Sequence, residues 1–403
     1  MLSLQSKLFI SVCNITVLYN TDIRMVVSVM SEYPERRDPR TVVAAVAIVA
    51  IIAVASIVII TFRPPSEKPT LVVYTYDSFM QWGDDPDTIF EMAFGPFEER
   101  FDCIVRIERL QTDANGIISR LGTEQSNPVA DVVIGIDNIL ILQSGVTDLL
   151  TAYEPSNIDV VNSTFIDALD PNHYIVPFDF GLVTLIYKNN SLEMFPEFNN
   201  LTFADLTDPA LAGGLVTQNP HFSSPGLAFL LTEIAVHEKL LHVNWTDWWI
   251  AVNEYIDVQP GWSEAWSVWY DTPSKHIMNS YGTDGAYSVY FYGGEPETGI
   301  APIYYDGDYY AWMQVEGMGL VKNGPNPELA ELFIDYCLNE TVQSLIATNQ
   351  WMFPVRSGVV LDPAFEYALH PSEVSLLNEI LARPEIAANL TSWLDTYDEI
   401  RIT

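Results

Sequence analysis

The sequence predicts an α/β protein, because short runs of β-branched and aromatic residues alternate with stretches of helical periodicity. The first run, LVVYTYDSF at 71–79, precedes a predicted helix at Asp87–Phe101, a strand at Cys103–Leu110 and a helix at Asn115–Glu124. The strand ADVVIGI at 130–136 follows. Strands separated by helices form βαβ units, so we expect a sheet that is buried on both faces.

The same alternation continues towards the C-terminus. Further strands are predicted at Tyr174–Phe178, Leu182–Tyr187 and Met318–Lys322, and helices after Pro225 and at Trp245–Tyr255, Pro327–Cys337 and Thr341–Thr348. At 403 residues, 49% of them hydrophobic, the chain has enough core material for one large domain or two ordinary ones.

An apolar segment, Thr41–Thr61, precedes the α/β region and carries no charge. It matches the roughly 20 residues that a helix needs to cross a membrane, and it is longer than the apolar part of a cleavable signal peptide, which is the alternative. Basic residues are slightly more numerous before it than after it, which places its N-terminal side in the cytoplasm. We therefore predict a cytoplasmic segment at 1–40, a transmembrane anchor at 41–62 and a linker at 63–70. Translation from Met30 would omit residues 1–29.

The chain is strongly acidic, with 53 Asp and Glu against 18 Lys and Arg and a net charge of −35. Binding to nucleic acid requires clustered Lys and Arg, so we exclude it. The acidic residues are spread among aromatic and β-branched ones, which is not the composition of a disordered acidic tail. This composition indicates a surface adapted to high salt.

Common catalytic motifs are missing, including GxGxxG, GxxxxGK[ST], HExxH and GxSxG. His237 and His242 are the only histidines close in sequence, and on a helix they would lie about 140° apart, which does not suit a shared metal. We expect neither an enzyme nor a metal or cofactor site. Whether Cys103 and Cys337 form a disulfide is left open.

Aromatic and polar residues cluster where predicted strands end or helices begin, and ligands in open α/β sheets bind outside the carboxyl ends of strands. These clusters supply the candidate binding residues Tyr76, Asp77, Trp82, Gly135, Asp137, Asn138, Ser223, Ser224, Trp262, Ser263, Tyr281, Tyr287 and Trp351. Each Trp or Tyr alone is more often a core residue than a ligand contact, and Ser223 or Ser224 with Pro225 could simply cap a helix. Together they predict a cleft lined by aromatic faces, hydroxyls and one or two acids, which suits a flat cation that carries a phosphate.

Seven motifs resemble, in order and spacing, the thiamine-binding proteins of bacterial and archaeal ABC importers. They are YTYDSF at 74–79, ADVVIGIDN at 130–138, VPFDFG at 176–181, SSPGLAFLL at 223–231, GWSEAW at 261–266, QVEGMGLV at 314–321 and NQWMFPV at 349–355. The resemblance covers residues 69–400. It implies a two-lobed type II periplasmic-binding-protein fold with the ligand in the interlobe cleft. The motif VPFDFG runs from one strand pattern into another, so we predict a first crossing between the lobes near Phe178–Gly181, a second near Gly294–Tyr304, and a separate sheet in each lobe. Lobe one is then 71–177 with 305–403, and lobe two is 178–304.

The resemblance also implies a role for each candidate residue. Tyr76 and Trp82 would contact the aminopyrimidine of thiamine, and Asp137 would pair with its amino group or with the thiazolium. A phosphate group would be held by Ser223, Trp262 and Tyr281, and the rings would stack on Tyr287 and Trp351. Asp284 departs from the family pattern by adding negative charge near the phosphate, so the form bound, thiamine, thiamine monophosphate or thiamine diphosphate, is left open.

Partners implied by the resemblance are the permease subunits of an ABC transporter, with the binding domain outside the cytoplasm and tethered to the cell membrane. One alternative is a ferric-ion-binding protein of the same fold, which would use the adjacent tyrosines Tyr304–Tyr305 and Tyr309–Tyr310. Another small solute, or a secreted hydrolase with an unrecognised carboxylate site, is a further alternative.

Overall fold

The computed structural model describes residues 68–402 and, nearer the N-terminus, the backbone of three short strands. These strands are β1 (Ile10–Val12), β2 (Ile15–Leu18) and β3 (Val26–Val29), which pair antiparallel in that order. The anchor at 41–62 and most of the linker at 63–70 lie outside the described residues. None of the helices that the structure does describe combines the length and hydropathy that crossing a bilayer requires.

Residues 68–402 form a mixed sheet covered by helices, as the alternation of strands and helices predicts. The strands are β4 (Thr70–Thr75), β5 (Ile104–Arg109), β6 (Val132–Asp137), β7 (Leu150–Thr151), β8 (Val176–Lys188), β9 (Leu215–Gln218), β10 (Asp257–Gln259), β11 (Ile277–Tyr281), β12 (Thr298–Ala301), β13 (Ile303–Tyr305), β14 (Asp308–Val321), β15 (Phe353–Pro354) and β16 (Ser375–Leu376). The main path through the sheet is β10-β9-β11-β8-β14-β6-β4-β5.

Twelve α-helices lie within the same range. They are α1 (Pro86–Phe101), α2 (Ala114–Glu124), α3 (Ser163–Leu169), α4 (Pro209–Gly214), α5 (Ser224–Ile234), α6 (Thr246–Val252), α7 (Trp262–Asp271), α8 (Asp284–Tyr292), α9 (Pro327–Cys337), α10 (Glu340–Gln350), α11 (Leu377–Ile380) and α12 (Arg383–Ile402). A π-helical turn, Ala235–Leu241, continues α5. The predicted helices at 87–101, 115–124, 327–337 and 341–348 agree with these bounds within a residue or two, and the helix predicted at 245–255 is shorter.

Two long strands, β8 and β14, run side by side through the centre of the sheet. On one side β14 pairs with β6, which continues to the parallel strands β4 and β5. On the other side β8 pairs with β11, which continues to the parallel strands β9 and β10. The two-lobed α/β architecture is therefore confirmed. The lobe limits 71–177, 178–304 and 305–403 stay a prediction.

The prediction of two strands separated near Phe178–Gly181, and of a separate sheet in each lobe, is wrong. Residues 176–188 form one strand, of which all but Lys188 are buried, and hydrogen bonds join the sheets of both lobes through β8 and β14. In the folded chain Asp179 and Gly181, within the motif VPFDFG, remain in the strand because β14 supplies backbone partners for both residues.

The core is formed by the apolar faces of the helices against this sheet. Strand β6, for example, is buried along its whole length, as expected for a strand covered on both faces. Cys103 and Cys337 are buried free thiols, so the structure contains no disulfide between them.

Candidate functional site

A cavity lies where β4 and β11 end and where α2, α5 and α7 begin, beside Glu316 in the middle of β14. It encloses about 680 Å³ of empty space, counting its opening to solvent. That is within the range of roughly 300–1,000 Å³ that is usual for small-molecule sites. The wall consists of Tyr76, Ser78, Trp82, Asp113, Ala114, Ser224, Pro225, Trp262, Trp266, Tyr281, Asp284, Tyr287, Glu316, Gln350, Trp351 and Met352.

Tryptophan rings make up much of this wall. The rings of Trp262 and Trp266 stack with centroids 5.3 Å apart, because residues four apart lie on the same face of α7. The edge of Trp82 meets Trp262 at 5.3 Å. The Trp262 Nε1–H donates to Ser280 Oγ at 2.9 Å, which fixes the orientation of the indole. Rings held in this way offer rigid faces to a flat ligand.

Trp351 contributes to the cavity and to the core at the same time. It is 6% exposed, and its ring stacks on Phe365 with centroids 5.9 Å apart and meets Tyr287 at 5.0 Å. Its Nε1–H donates to the carbonyl oxygen of Trp82 at 2.8 Å. The residue thus joins the segment after α10 to the turn after β4.

Tyr76 reaches the cavity because Gly135 leaves room for its ring. A Cβ atom on Gly135 would lie 2.5 Å from two carbons of the Tyr76 ring, and the φ of Gly135 is +114°, a conformation that residues with side chains rarely adopt. The Tyr76 hydroxyl donates to Glu316 Oε2 at 2.8 Å and accepts from the side-chain amide of Gln350. The lack of a side chain at Gly135 therefore allows the Tyr76 ring to occupy its position in the cavity wall.

The N-terminus of α5 faces the cavity through Ser224 and Pro225. Ser223 occupies the N-cap position but its hydroxyl makes no capping hydrogen bond, and Pro225 is the second helical residue and not the first. Burial raises the pKa of Asp113 and of Asp137, and the nearby hydroxyls of Ser223 and Ser224 respectively offset part of that rise, although neither forms a hydrogen bond of normal geometry. Carboxyl groups of the protein itself thus already lie near this helix terminus.

Buried carboxyl groups are the main electrostatic feature of the site. Burial raises the pKa of Asp113 to about 6, that of Asp284 to about 7 and that of Glu316 to about 8. A buried carboxyl without a counter-charge favours the neutral form, which explains all three shifts. Among the described residues, no Lys or Arg lines the cavity.

Several buried polar atoms of the wall have no hydrogen-bond partner within the described part of the chain. They are Trp82 Nε1, Asp113 Oδ2, Ser224 Oγ and Asp284 Oδ2. Buried polar groups are normally paired, so unpaired ones converging on a cavity indicate where a ligand supplies the partners. Their combination, one N–H donor and two carboxyl groups beside indole faces, suits a cation that carries N–H donors.

Seven of the candidate residues lie on the cavity wall: Tyr76, Trp82, Ser224, Trp262, Tyr281, Tyr287 and Trp351. The others lie outside it. Asp137 Oδ1 accepts from the backbone N–H of Ile139 and of Leu140, and Asn138 bridges to Met313 and Val315 on β14. Asp77, Gly135, Ser223 and Ser263 also lie off the wall. These positions do not test which residues contact a ligand.

The wall also contains residues that sequence analysis did not select. Glu316 lies, itself buried, in a run of buried residues on β14. Trp266 lies one turn after Trp262 on α7, and Asp113 is the N-cap of α2. A charged residue within a buried strand was the signal for Glu316. Asp113 carried no signal beyond that of an ordinary cap.

The adjacent tyrosines proposed as iron ligands lie on the β13–β14 hairpin and not on the cavity wall. Tyr305 donates to the carbonyl oxygen of Leu240 and Tyr309 to Asn200 Oδ1. Within residues 68–402 no group of three or more His, Cys, Asp or Glu could hold a metal ion. Burial and nearby acids also raise the pKa of Tyr76 and of Tyr281 well above the usual value, which disfavours tyrosinate.

Comparison with known proteins places the chain among binding proteins. Residues 105–344 match the family model "Bacterial extracellular solute-binding protein". The chain is 29% identical over 342 residues to the thiamine-binding periplasmic protein of Escherichia coli, covering 85% of this chain and 96% of that protein.

Solved structures give the same fold. A periplasmic thiamin binding protein superposes with a TM-score of 0.69 and 26% identity, covering 84% of this chain and 98% of the other. A ferric binding protein from Campylobacter jejuni reaches a TM-score of 0.63 at 17% identity, covering 82% and 99%. That second likeness concerns the fold alone.

Proposed function

Since the chain belongs to the family of bacterial extracellular solute-binding proteins, we propose that it captures thiamine outside the cytoplasm and delivers it to an ABC importer. The similarity to thiamine-binding proteins extends over 85% of this chain. The lobes close over the ligand in this proposal, and the segments at 41–62 and 63–70 tether the binding domain to the membrane.

One observation carries the choice of ligand: the cavity joins indole faces to buried carboxyl groups, with no Lys or Arg among its described lining residues. Thiamine is a flat cation with an aminopyrimidine that carries N–H donors. A cation over a desolvated indole is stabilised by about 2 kcal/mol or more. The unpaired oxygens of Asp113 and Asp284 are placed to accept hydrogen bonds from an amino group.

The same charge distribution favours free thiamine over its phosphate esters. A phosphate group needs a cation or free backbone N–H groups, and the N-terminus of α5, which faces the cavity, already lies beside Asp113 and Asp137. We therefore propose the order of affinity thiamine, then thiamine monophosphate, then thiamine diphosphate.

The roles inferred from the resemblance change in two respects. Asp137 uses one oxygen to hold the turn after β6, so we assign the amino group of the ligand to Asp113 or Asp284 instead. Trp82, Tyr287 and Trp351 keep their proposed part as ring contacts, and we reassign Trp262 from the phosphate to the rings, because its indole stacks with Trp266 on the cavity wall.

The experiment is to purify the full chain without added vitamin, identify any released ligand by mass spectrometry, and titrate the stripped protein with thiamine and its two phosphates. We expect released thiamine, quenched tryptophan fluorescence and the stated order of affinity. A protein that binds none of the three but develops colour with ferric salt would support the iron alternative. Steady turnover of phosphate esters would support the hydrolase.

A further inference from the structure

Three buried carboxyl groups lie in one row across the centre of the sheet. Glu316 on β14 is directly opposite Asp179 on β8 and directly opposite Asp137 on β6. Residues that face each other across neighbouring strands project from the same face of a sheet. The residues are 4%, 0% and 0% exposed, and only Glu316 also lines the cavity. We refer to Asp137, Glu316 and Asp179 as the acidic row.

The members of the acidic row differ in their hydrogen bonds. Glu316 accepts from the Tyr76 hydroxyl at 2.8 Å and from Gln314 Nε2 at 2.8 Å. Asp137 accepts two backbone N–H groups through Oδ1. Both oxygens of Asp179 lack a partner within the described residues. Asp179 is thus the group for which ionisation is least supported by its surroundings.

Within residues 68–402, no positive charge compensates the acidic row. Five titratable groups interact electrostatically with Glu316 or with one another around it. They are Tyr76 after β4, Asp113 before α2, Asp137 at the end of β6, Asp179 on β8 and Tyr281 on β11. Each of these groups is neutral or negative. Burying several carboxylates together without a cation costs several kcal/mol for each ion. A proton or a cationic ligand must therefore supply the counter-charge.

We propose that Glu316, backed by Asp179, determines specificity for a positively charged ligand: the pair holds a proton while the cleft is empty and releases it to solvent as the cation enters. This inference rests on the proposed capture of thiamine. The cation and the proton compete for the same buried negative charge, so a neutral molecule of the same shape gains nothing from Glu316.

The electrostatics of the row support this exchange. Burial, Asp137 and Asp113 raise the pKa of Glu316 to about 8, and burial with Glu316 raises the pKa of Asp179 well above its usual value. The empty protein is therefore protonated at Glu316 near neutral pH. Bound thiamine favours the ionised form, so its affinity should fall as the pH is lowered from about 8, by up to about tenfold per pH unit.

Calorimetric titration of the full chain with thiamine, in buffers of different ionisation enthalpy, measures the protons released on binding. We expect release of a proton fraction that approaches one near neutral pH. The neutral analogue in which carbon replaces the quaternary nitrogen of the thiazolium should bind more weakly, with no release and little pH dependence.

Two substitutions separate the roles within the row. Glu316→Gln removes the exchangeable proton, so we expect thiamine affinity to fall by about 10- to 100-fold at pH 8, with no proton release above about pH 7 and an unchanged affinity for the neutral analogue. Asp179→Asn removes the second acid of the pair, so Glu316 no longer shares its proton and the buried negative charge with a neighbouring carboxyl. It should keep thiamine binding but move the pH profile to lower pH, an effect that a merely structural role would not produce.

Glu233→Gln is the matched control, because Glu233 is also fully buried with a pKa raised to about 7 but lies at the far end of α5, paired with His237. It should leave the pH profile unchanged. Thiamine binding that is pH-independent, or proton release that persists in Glu316→Gln, would overturn the exchange while leaving the proposed function intact. Failure to bind thiamine at any pH would overturn the proposed function itself.

Discussion

The contact between Gly135 and Tyr76 allows a test in which one added methyl group should affect both stability and binding. In Gly135→Ala the new Cβ would lie 2.5 Å from two Tyr76 ring carbons, where 3.4–4 Å is ordinary contact. The ring must therefore retreat by about 1 Å. The hydrogen bond from the Tyr76 hydroxyl to Glu316, now 2.8 Å long, would be lost at such a distance.

Two energetic costs add in this variant. Alanine at a φ of +114° is strained by about 1–3 kcal/mol, and the overpacked ring contact adds about 1–3 kcal/mol. Gly145→Ala is the matched control, because Gly145 also has a positive φ, +85°, but no atom lies within 4 Å of the added Cβ. The difference between the two variants isolates the contact with Tyr76.

Urea unfolding followed by fluorescence, and thiamine titration of the same samples, measure the two effects. We expect Gly145→Ala to lose some stability and bind thiamine normally, and Gly135→Ala to lose about 1–3 kcal/mol more and to bind at least several-fold more weakly. Equal stability and equal affinity in the two variants would refute the claim that Gly135 positions Tyr76.

Three further outcomes are expected. Trp351→Phe should keep most ring contacts but lose the hydrogen bond to Trp82, at a cost of about 0.5–1.5 kcal/mol in stability. Trp351→Ala should lower stability by about 3–5 kcal/mol and weaken thiamine binding by about 1–3 kcal/mol. Normal binding by the alanine variant would exclude the residue from the site. The pKa of Glu316 is about 8 against 4.5 for a free Glu, so its contribution to stability is complete below about pH 4 and is lost as the pH rises through 8. At pH 8, Glu316→Gln should therefore melt at a higher temperature than the unsubstituted protein without ligand. An unchanged melting temperature would count against an uncompensated charge. The melting temperature should also rise between low and molar salt, since the acidic residues behind the net charge of −35 repel one another and salt screens that repulsion; a flat response would contradict that.

The alternation of strands and helices could be predicted from sequence because each element carries its own periodicity. Strand β6 and helices α1, α2 and α9 are examples, with boundaries that follow local caps such as Asp85 and Asp113. The continuity of β8 could not be predicted in this way. It depends on backbone pairing with β14, a strand more than a hundred residues away.

The aromatic half of the site was also accessible from sequence, because tryptophan beside Gly and Ser at the end of an element is unusual for a core residue. The acidic half was not. With 53 acidic residues in the chain, nothing in the sequence sets Asp113, Asp284 and Glu316 apart as a group, since their place on the cavity wall is a tertiary property. Asp137 and Asn138 were selected from sequence as polar residues at a strand end, but their side chains form hydrogen bonds with backbone groups and do not line the cavity.

The long β8–β14 pair limits how the two lobes can move. A slip of one residue between these strands would turn every buried side chain to the opposite face, so their register is fixed. Opening of the cleft must therefore come from bending or twisting of the pair and not from sliding. The ladder is irregular between Glu316 and Gly317, where a bulge lets the strand bend most easily. Bending at this bulge, next to the cavity-wall residue Glu316, would allow the cavity entrance to widen while Glu316 and Asp179 stay opposite each other.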